Sequence, residues 1–358
     1  MSSKPSPSPP ETLCIRGHGL AGALLAETAS AAGFRVQVHD TGLPAASRVA
    51  AGLFTPVTGQ RLRLSWEAEN ALPLCHHVYP ELEKTLGVSF YTRLPTLRIF
   101  TSAAQRREWA EKPCADCVRE APIPDLPVHA PHGGVWIDGG GWVNVPVLLD
   151  ALKARRIARG EWGDDPDADL RIDCTGHHAA AHPLWHEAGW RNAHGEVLTV
   201  EIPGLPPEQI YSFDKFLMPL GRDHFRLGAT YTWDETRPSP TPDGRTALEA
   251  ALRAFTDLPF RVIDHQAGIR PVALARVPIA GPHPEHPREW ILNGFGSKGV
   301  LYGPWMCRHL IEHWRRHAPL PKETWAPRRL LRQRDRTQTR QNKQHIKTAQ
   351  RIAAPDNG

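Results

Sequence analysis

The sequence predicts an α/β chain, α+β overall, in which a Rossmann-like domain is interleaved with a smaller domain built on antiparallel sheet. Three observations predict it. A strand, a glycine-rich loop and a helix follow one another through residues 12–32 and lead into a second strand at 34–40. A long middle section has β-type composition. Two later strand-and-helix pieces, at 145–176 and 290–316, return to the character of the opening unit, so the first domain is discontinuous.

Residues 12–16 read as a short strand, 20–32 have helical composition with Gly33 where a C-cap belongs, and 34–40 alternate as a strand. The loop between is Gly17-His18-Gly19-Leu20-Ala21-Gly22. In that spacing Gly17 permits a tight turn, Gly19 lets backbone approach a pyrophosphate, and Gly22 lets helix and strand pack closely. Phosphate then meets the helix N-terminus, where unpaired N–H groups and the positive dipole end favour an anion. Asp40, ending the second strand, is placed to accept hydrogen bonds from ribose hydroxyls and disfavours a 2′-phosphate. The fingerprint leaves FAD or NAD as the ligand. No second one follows, because Gly139-Gly140-Gly141 runs into another β-like stretch. A flavin there would pass substrate electrons to oxygen, a quinone or a protein.

An irregular loop covers 42–59, and a helical pattern over 65–86 puts Leu72, Cys75, Val78, Tyr79 and Leu82 on one face, with Pro73 expected to break or kink it. Strand composition marks 91–101, 135–137, 195–202, 213–220 and 224–232, and Gly221-Arg222-Asp223 joins a candidate hairpin. A helix at 145–157 and a buried strand at 169–174 lead to Thr175-Gly176. A strand at 290–293, a glycine loop and a helix at 301–316 follow, with Pro304 tolerable in the first turn.

At 358 residues, two interlocked domains are expected. The first comprises 12–75, 132–190 and 266–320; the second comprises 76–131 and 191–265; 1–11 is a disordered N-terminus. The chain is 41% hydrophobic and 23% charged, a balance for a water-soluble domain, and no run approaches the roughly 20 apolar residues of a membrane span. The Ala-rich stretch 20–32 is interrupted by Glu27, so it does not read as a signal peptide. Six cysteines do not form a disulfide framework at this length, so a reducing compartment, the cytoplasm, is expected. The charge of +5 misleads: residues 322–358 hold ten Lys and Arg against three Asp and Glu, leaving −2 for the rest. Segment 321–358 is therefore read as a basic tail, solvated or docking RNA.

With these motifs in place, residues 12–316 resemble the D-amino-acid oxidase and glycine oxidase superfamily of FAD-dependent oxidoreductases, the DAO family. The resemblance rests on the fingerprint with Asp40, the loop Ala46 to Leu53, Gly268-Ile269-Arg270-Pro271, and Gly294-Phe295-Gly296-Ser297-Lys298-Gly299. With Gly228-Ala229-Thr230-Tyr231, the last motif is most similar to the oxidoreductase module of bacterial enzymes that modify aminomethyl-uridine in transfer RNA; the methyltransferase module has no room here. The resemblance implies FAD, an antiparallel sheet covering the flavin, and oxidation of a small amine or amino acid by hydride transfer to flavin N5, followed by imine hydrolysis.

Carried over by position, it implies that Gly17, Gly19, Leu20, Ala21, Gly22, Asp40, Ser47, Arg48, Ala50, Ala51, Gly52 and Leu53 serve FAD. So do Thr175, Gly176, Gly294, Gly296, Ser297, Lys298, Gly299 and Val300. Arg270 would pair with a substrate carboxylate through its rigid two-pronged donor, Lys298 would stabilise charge on reduced flavin, and Tyr231 would shape the substrate pocket. Tyr211 and Tyr302 are further pocket candidates. His18 replaces a small or apolar residue of such loops, and Lys298 stands where relatives often carry Arg.

Oxidation of a 2-hydroxy acid on the same scaffold, or an RNA-associated flavoprotein, are the alternatives. Cys114 with Cys117, and the histidine groups 177, 178, 182 and 309, 313, 317, are set aside as metal sites for want of a completing pattern.

Overall fold

In the computed structural model, which describes residues 9–40, 42–59, 62–111 and 116–331, the opening unit is strand β1 (Thr12–Arg16), helix α1 (Leu20–Ala31) and strand β2 (Arg35–His39). Leu13, Cys14 and Ile15 are fully buried, as a strand covered on both faces requires. Helix α1 is also buried along most of its length, and its alanines allow close packing.

Helix α2 (Ala68–Leu86) runs unbroken through Pro73 and Pro80, against the expected break at Pro73. An internal proline costs about 3 kcal/mol. Ala68, Ala71, Cys75, Tyr79 and Leu82 form one buried face, and burial of that size offsets the loss. Helix α3 (Val145–Ala158) starts on Asn144, whose side-chain oxygen accepts from the Val147 N–H at 3.4 Å, with Pro146 in the first turn.

Strands β3 (Leu170–Asp173), β4 (Ala193–Glu201), β5 (Phe216–Gly221), β6 (His224–Gly228), β7 (Arg261–Arg270) and β8 (Glu289–Asn293) follow, then helix α4 (Gly299–Arg316). The predicted hairpin is β5–β6. Its register pairs Phe216 with Gly228 and Gly221 with His224, and Arg222 and Asp223 take the positive φ values, 48° and 58°, of a tight hairpin turn.

The first sheet runs Ile279–Pro282, β8, β3, β1, β2, with every pair parallel except at the Ile279–Pro282 edge. The carboxyl ends of β1, β3 and β8 therefore point to one edge. Loops 17–19, 174–178 and 294–297 converge there, where ligands bind in open α/β sheets. Among the described residues the second sheet has nine strands, antiparallel except where Thr96–Ile99 runs parallel to Ile210–Ser212. Strand β4 is its axis, pairing with β6 on one side and β7 on the other.

Several expected boundaries shift. The division at 75/76 cuts α2, whose buried face belongs to the first core. Gly134–Ile137, assigned to the first domain, pairs with Thr96–Ile99 in the second sheet. Strand β7 also lies in that sheet up to Arg270. Residues 321–331, assigned to the tail, are packed: Ala326 and Leu330 are fully buried, and the Arg329 guanidinium donates to the carbonyls of Val277 and Pro278. The remaining tail, 332–358, and the N-terminal segment 1–8 lie outside the described residues, as does Cys114. Among the described residues, no helix is long and apolar enough to cross a membrane, and Cys14, Cys75, Cys174 and Cys307 are free thiols.

Candidate active site

The converging loops and the inner face of the nine-stranded sheet enclose a cavity of about 390 Å³. Its first wall is the glycine loop. Gly17 has φ +96°, and a Cβ there would come within 2.8 Å of the Cys174 carbonyl oxygen; a Cβ on Gly22 would overlap the Gly17 carbonyl oxygen. Only glycine fits either position. Gly19 caps α1 without a side chain, leaving the helix N-terminus open to an anion, while the Ser47 Oγ accepts from the Leu20 N–H at 3.0 Å. Asp40 lines the same end.

His18 is 5% exposed, and neither ring nitrogen has a hydrogen-bond partner. Burial lowers its pKa to about 4, so the ring is neutral near pH 7 and packs edge-on against Trp162 at 5.0 Å. A neutral imidazole replaces the usual small residue without placing a cation in the loop.

The second wall is the loop after the single helical turn Ala46–Val49. Ala50, Ala51, Gly52 and Leu53 line the cavity, and Gly52, at φ +73°, sits so close to Val143 that a Cβ would overlap its carbonyl oxygen. Thr175 and Gly176 form the next stretch, joined by His177 and His178, whose ring centroids lie 3.9 Å apart. Burial lowers the pKa of His177 to about 4. His182 does not join this histidine pair; its ring nitrogen instead accepts from the Leu184 N–H. The Asn293 amide donates to the Gly176 carbonyl at 2.9 Å and its oxygen accepts from Gly294, locking the 175–178 turn to the last loop.

Gly296, Ser297, Gly299 and Val300 close the cavity, and the Gly296 N–H donates to the Pro271 carbonyl at 2.8 Å. That bond holds the loop beside Arg270. Arg270 is partly buried, donates to the carbonyls of His194 and Thr230, both at 3.3 Å, and lies 4.8 Å from the Tyr231 ring centroid. No carboxylate pairs with it among the described residues. Burial lowers its pKa, and a guanidinium in that state favours an incoming anion.

Four residues carried over as serving FAD lie outside the cavity lining, Gly22 in the packing role that its place in the loop predicts. Gly22 and Gly294 lie behind the lining and serve packing and turn geometry. Arg48 turns out to an ion pair with Asp150 on α3, at 2.5 Å, and anchors the loop. Lys298 is outside the lining as well: its Nζ donates to Ser65 Oγ at 2.7 Å, and burial lowers its pKa to about 8. Tyr211 lies fully buried in the second core with its hydroxyl on the Pro206 carbonyl, and Tyr302 packs on Trp66; Tyr231 is the one tyrosine of the three in the cavity wall. Gly195 was missed from sequence. A Cβ there would overlap the Arg270 guanidinium, so β4 needs glycine where that side chain crosses it.

The residues fit an FAD. Gly17, Gly19 and the α1 N-terminus would offer backbone to its pyrophosphate, Asp40 would meet the ribose, and 50–53 with Gly296, Ser297, Gly299 and Val300 would hold the flavin end. His18, whose buried ring nitrogens have no hydrogen-bond partner, is one of the lining residues.

Comparison with known proteins agrees. The family described as FAD dependent oxidoreductase, DAO, matches residues 12–313. The tRNA 5-methylaminomethyl-2-thiouridine biosynthesis bifunctional protein MnmC of Caulobacter vibrioides is 27% identical, over 86% of this chain and 55% of that protein. The protein of the same name from Acidovorax sp. is 24% identical, over 91% of this chain and 60% of its own length. The chain thus spans little more than half the length of these relatives. Among solved structures, iminodiacetate oxidase from Chelativorans sp. BNC1 superposes with a TM-score of 0.73 at 19% identity, covering 88% of this chain and 98% of that one. Glycine oxidase from Geobacillus kaustophilus gives 0.70 at 18%, covering 85% and 94%. The chain belongs to the DAO family of FAD-dependent oxidoreductases.

Proposed function

We propose that this protein oxidises the C–N bond of a small amine or amino acid that carries a carboxylate. The observation that carries the reading is Arg270, a partly buried guanidinium in the cavity wall without an anionic partner among the described residues. A carboxylate would supply the missing charge through two parallel hydrogen bonds and so fix the neighbouring C–H. The Tyr231 ring stacks on Arg270 and limits its movement. Val197, Phe216 and Ile269 give the wall an apolar character that excludes water.

When bound, FAD supplies the electron acceptor, taking a hydride equivalent from the carbon that bears nitrogen. The amine loses a proton to solvent, and the resulting imine takes up water to give a carbonyl compound and the freed amine. No side chain has to act as general acid or base in that balance, which agrees with Lys298 being held at Ser65. The test is anaerobic mixing of the purified yellow protein with N-methylglycine, glycine and matched 2-hydroxy acids. Bleaching of the flavin by amines alone is expected; bleaching by hydroxy acids alone would replace this reading with C–O oxidation.

A second reading, in which the amine is presented on RNA, is favoured by the cavity rim. The Tyr231 and Trp233 rings meet edge-on at 4.7 Å, and the Arg191 guanidinium lies 4.4 Å from the Trp233 ring. Tyr231 is 46% exposed. Such aromatic and arginine faces stack on bases. The two bacterial relatives are named for making a tRNA nucleoside that contains an aminomethyl group. RNA affinity that weakens in Trp233→Ala supports it, and unchanged affinity removes it.

A further inference from the structure

Helix α4 begins at Gly299, two residues earlier than the sequence predicts, so Pro304 falls beyond its first turn. In an α-helix the carbonyl of residue 300 accepts from the N–H of residue 304. Pro304 has no N–H, and its ring crowds the carbonyl four residues back. The Val300 carbonyl is therefore an orphan within its own helix. The ladder is intact just before it, where the Tyr302 N–H donates to the Lys298 carbonyl at 2.9 Å. Val300 is 4% exposed, and away from water an unpaired carbonyl is costly.

Helix α2 supplies the missing donors. The Tyr79 hydroxyl donates to the Val300 carbonyl at 2.8 Å. The Cys75 thiol, one turn earlier on the same buried face, reaches the Val300 and Leu301 carbonyls at 3.4 and 3.3 Å. Tyr79 is fully buried, and its ring stacks on that of Tyr91 with centroids 6.0 Å apart, which fixes where the hydroxyl points. Burial pushes the Cys75 thiol up to about 12 and the Tyr79 phenol well above its ordinary value, so both stay protonated donors at neutral pH. Two more contacts hold the same helix start, Lys298 Nζ on Ser65 Oγ and the Trp66 ring on Tyr302. A Cβ on Gly299 would come within 3.3 Å of Leu20, so the first turn also packs on α1. Gly299 and Val300 themselves line the main cavity.

We infer that Tyr79 is a positioning residue for the flavin: its hydroxyl replaces the hydrogen bond that Pro304 removes, and so holds the first turn of α4 against the flavin end of the cofactor. The positive end of the helix dipole then stays aimed at the place where negative charge develops on reduction. Tyr79 is outside the cavity lining and acts only through Val300. This rests on the flavin end lying at Gly296 to Val300, and it holds whichever substrate bond is oxidised.

The test is a double-mutant cycle on the FAD-loaded full chain, with Tyr79→Phe, Pro304→Ala and the two combined. Tyr79→Phe keeps the buried ring and removes only the hydroxyl, and Pro304→Ala returns the N–H that the Val300 carbonyl lacks. The flavin reduction potential is measured against a reference dye, and FAD release is read as flavin fluorescence on serial dilution. In Tyr79→Phe the potential falls and FAD dissociates about tenfold more readily, the scale of one buried acceptor left unpaired. In the combined variant both values return to those of Pro304→Ala alone, within about twofold for dissociation.

An unchanged potential in Tyr79→Phe overturns the assignment, because the hydroxyl then has no bearing on the flavin. The same loss with and without Pro304→Ala also overturns it, because the hydroxyl then acts through core packing alone. If Tyr79→Phe retains no FAD, a yellow combined variant supports the assignment and a colourless one overturns it.

Discussion

The two walls of the main cavity are built by different means. On the cofactor side the chain offers backbone: Gly17, Gly22 and Gly52 occupy places where any side chain would strike a carbonyl oxygen. On the side we propose for the substrate it offers side chains, with Arg270 held by the carbonyls of His194 and Thr230 and by the face of Tyr231. Backbone recognition tolerates almost no change at its glycines, whereas side-chain recognition can be removed one group at a time. Cofactor retention and substrate selection should therefore separate under mutation.

The largest effect is expected at Gly22. Gly22→Val drives a side chain into the Gly17 carbonyl and costs about 3 kcal/mol by forced overpacking, with loss of bound flavin. A urea midpoint together with the flavin-to-protein absorbance ratio checks both. A yellow, wild-type-like Gly22→Val would break the contrast between the two walls.

Arg270→Leu should leave the flavin content unchanged and lower kcat/KM for a carboxylated amine by about a hundred- to a thousandfold, as truncation of one partner of a buried charge pair does. Gly195→Ala sharpens the point. Its new methyl overlaps the Arg270 guanidinium, the movable end of a long side chain, so the guanidinium shifts and the strand stays. A loss of about ten- to a hundredfold in kcat/KM with little change in unfolding midpoint is expected, since small misplacements near reacting groups are costly.

The smallest effect belongs to Lys298. Its folded pKa of about 8 lies below the ordinary 10.5, so between those values the unfolded chain binds more protons and stability from this group rises with pH. Below about pH 8 the buried ammonium is charged in both states and its burial penalty is fully present. Relative to Lys298→Met, the wild-type protein should gain on the order of 1–2 kcal/mol between pH 7 and pH 9. Parallel stability curves for the two proteins would contradict it.

These contrasts also set what the sequence makes legible. The glycine loop, Asp40 and the opening strand-helix-strand are local, because each role follows from a position within one unit of about 30 residues. The β5–β6 hairpin is equally local, with its turn residues between two β-like runs. Gly195 is not local: its role exists only because β4 pairs with β7 so that Ala193 faces Arg270. Lys298 shows the opposite error. It adjoins Ser297, which lines the cavity, but neighbouring side chains at a helix start point in different directions, and its own reaches Ser65. Pro73 misleads because tertiary packing of α2 outweighs a local penalty.

The central claim is that one unpaired arginine selects the substrate on a scaffold whose glycines hold the flavin. Anaerobic stopped-flow reduction of wild-type and Arg270→Leu proteins, each matched for bound FAD, by N-methylglycine and by its uncharged methylamide tests it most directly. The account predicts a strong preference for the acid in the wild-type protein and none in Arg270→Leu, at equal flavin content. Equal reduction by acid and amide in the wild-type protein, or an undiminished preference in Arg270→Leu, would contradict it.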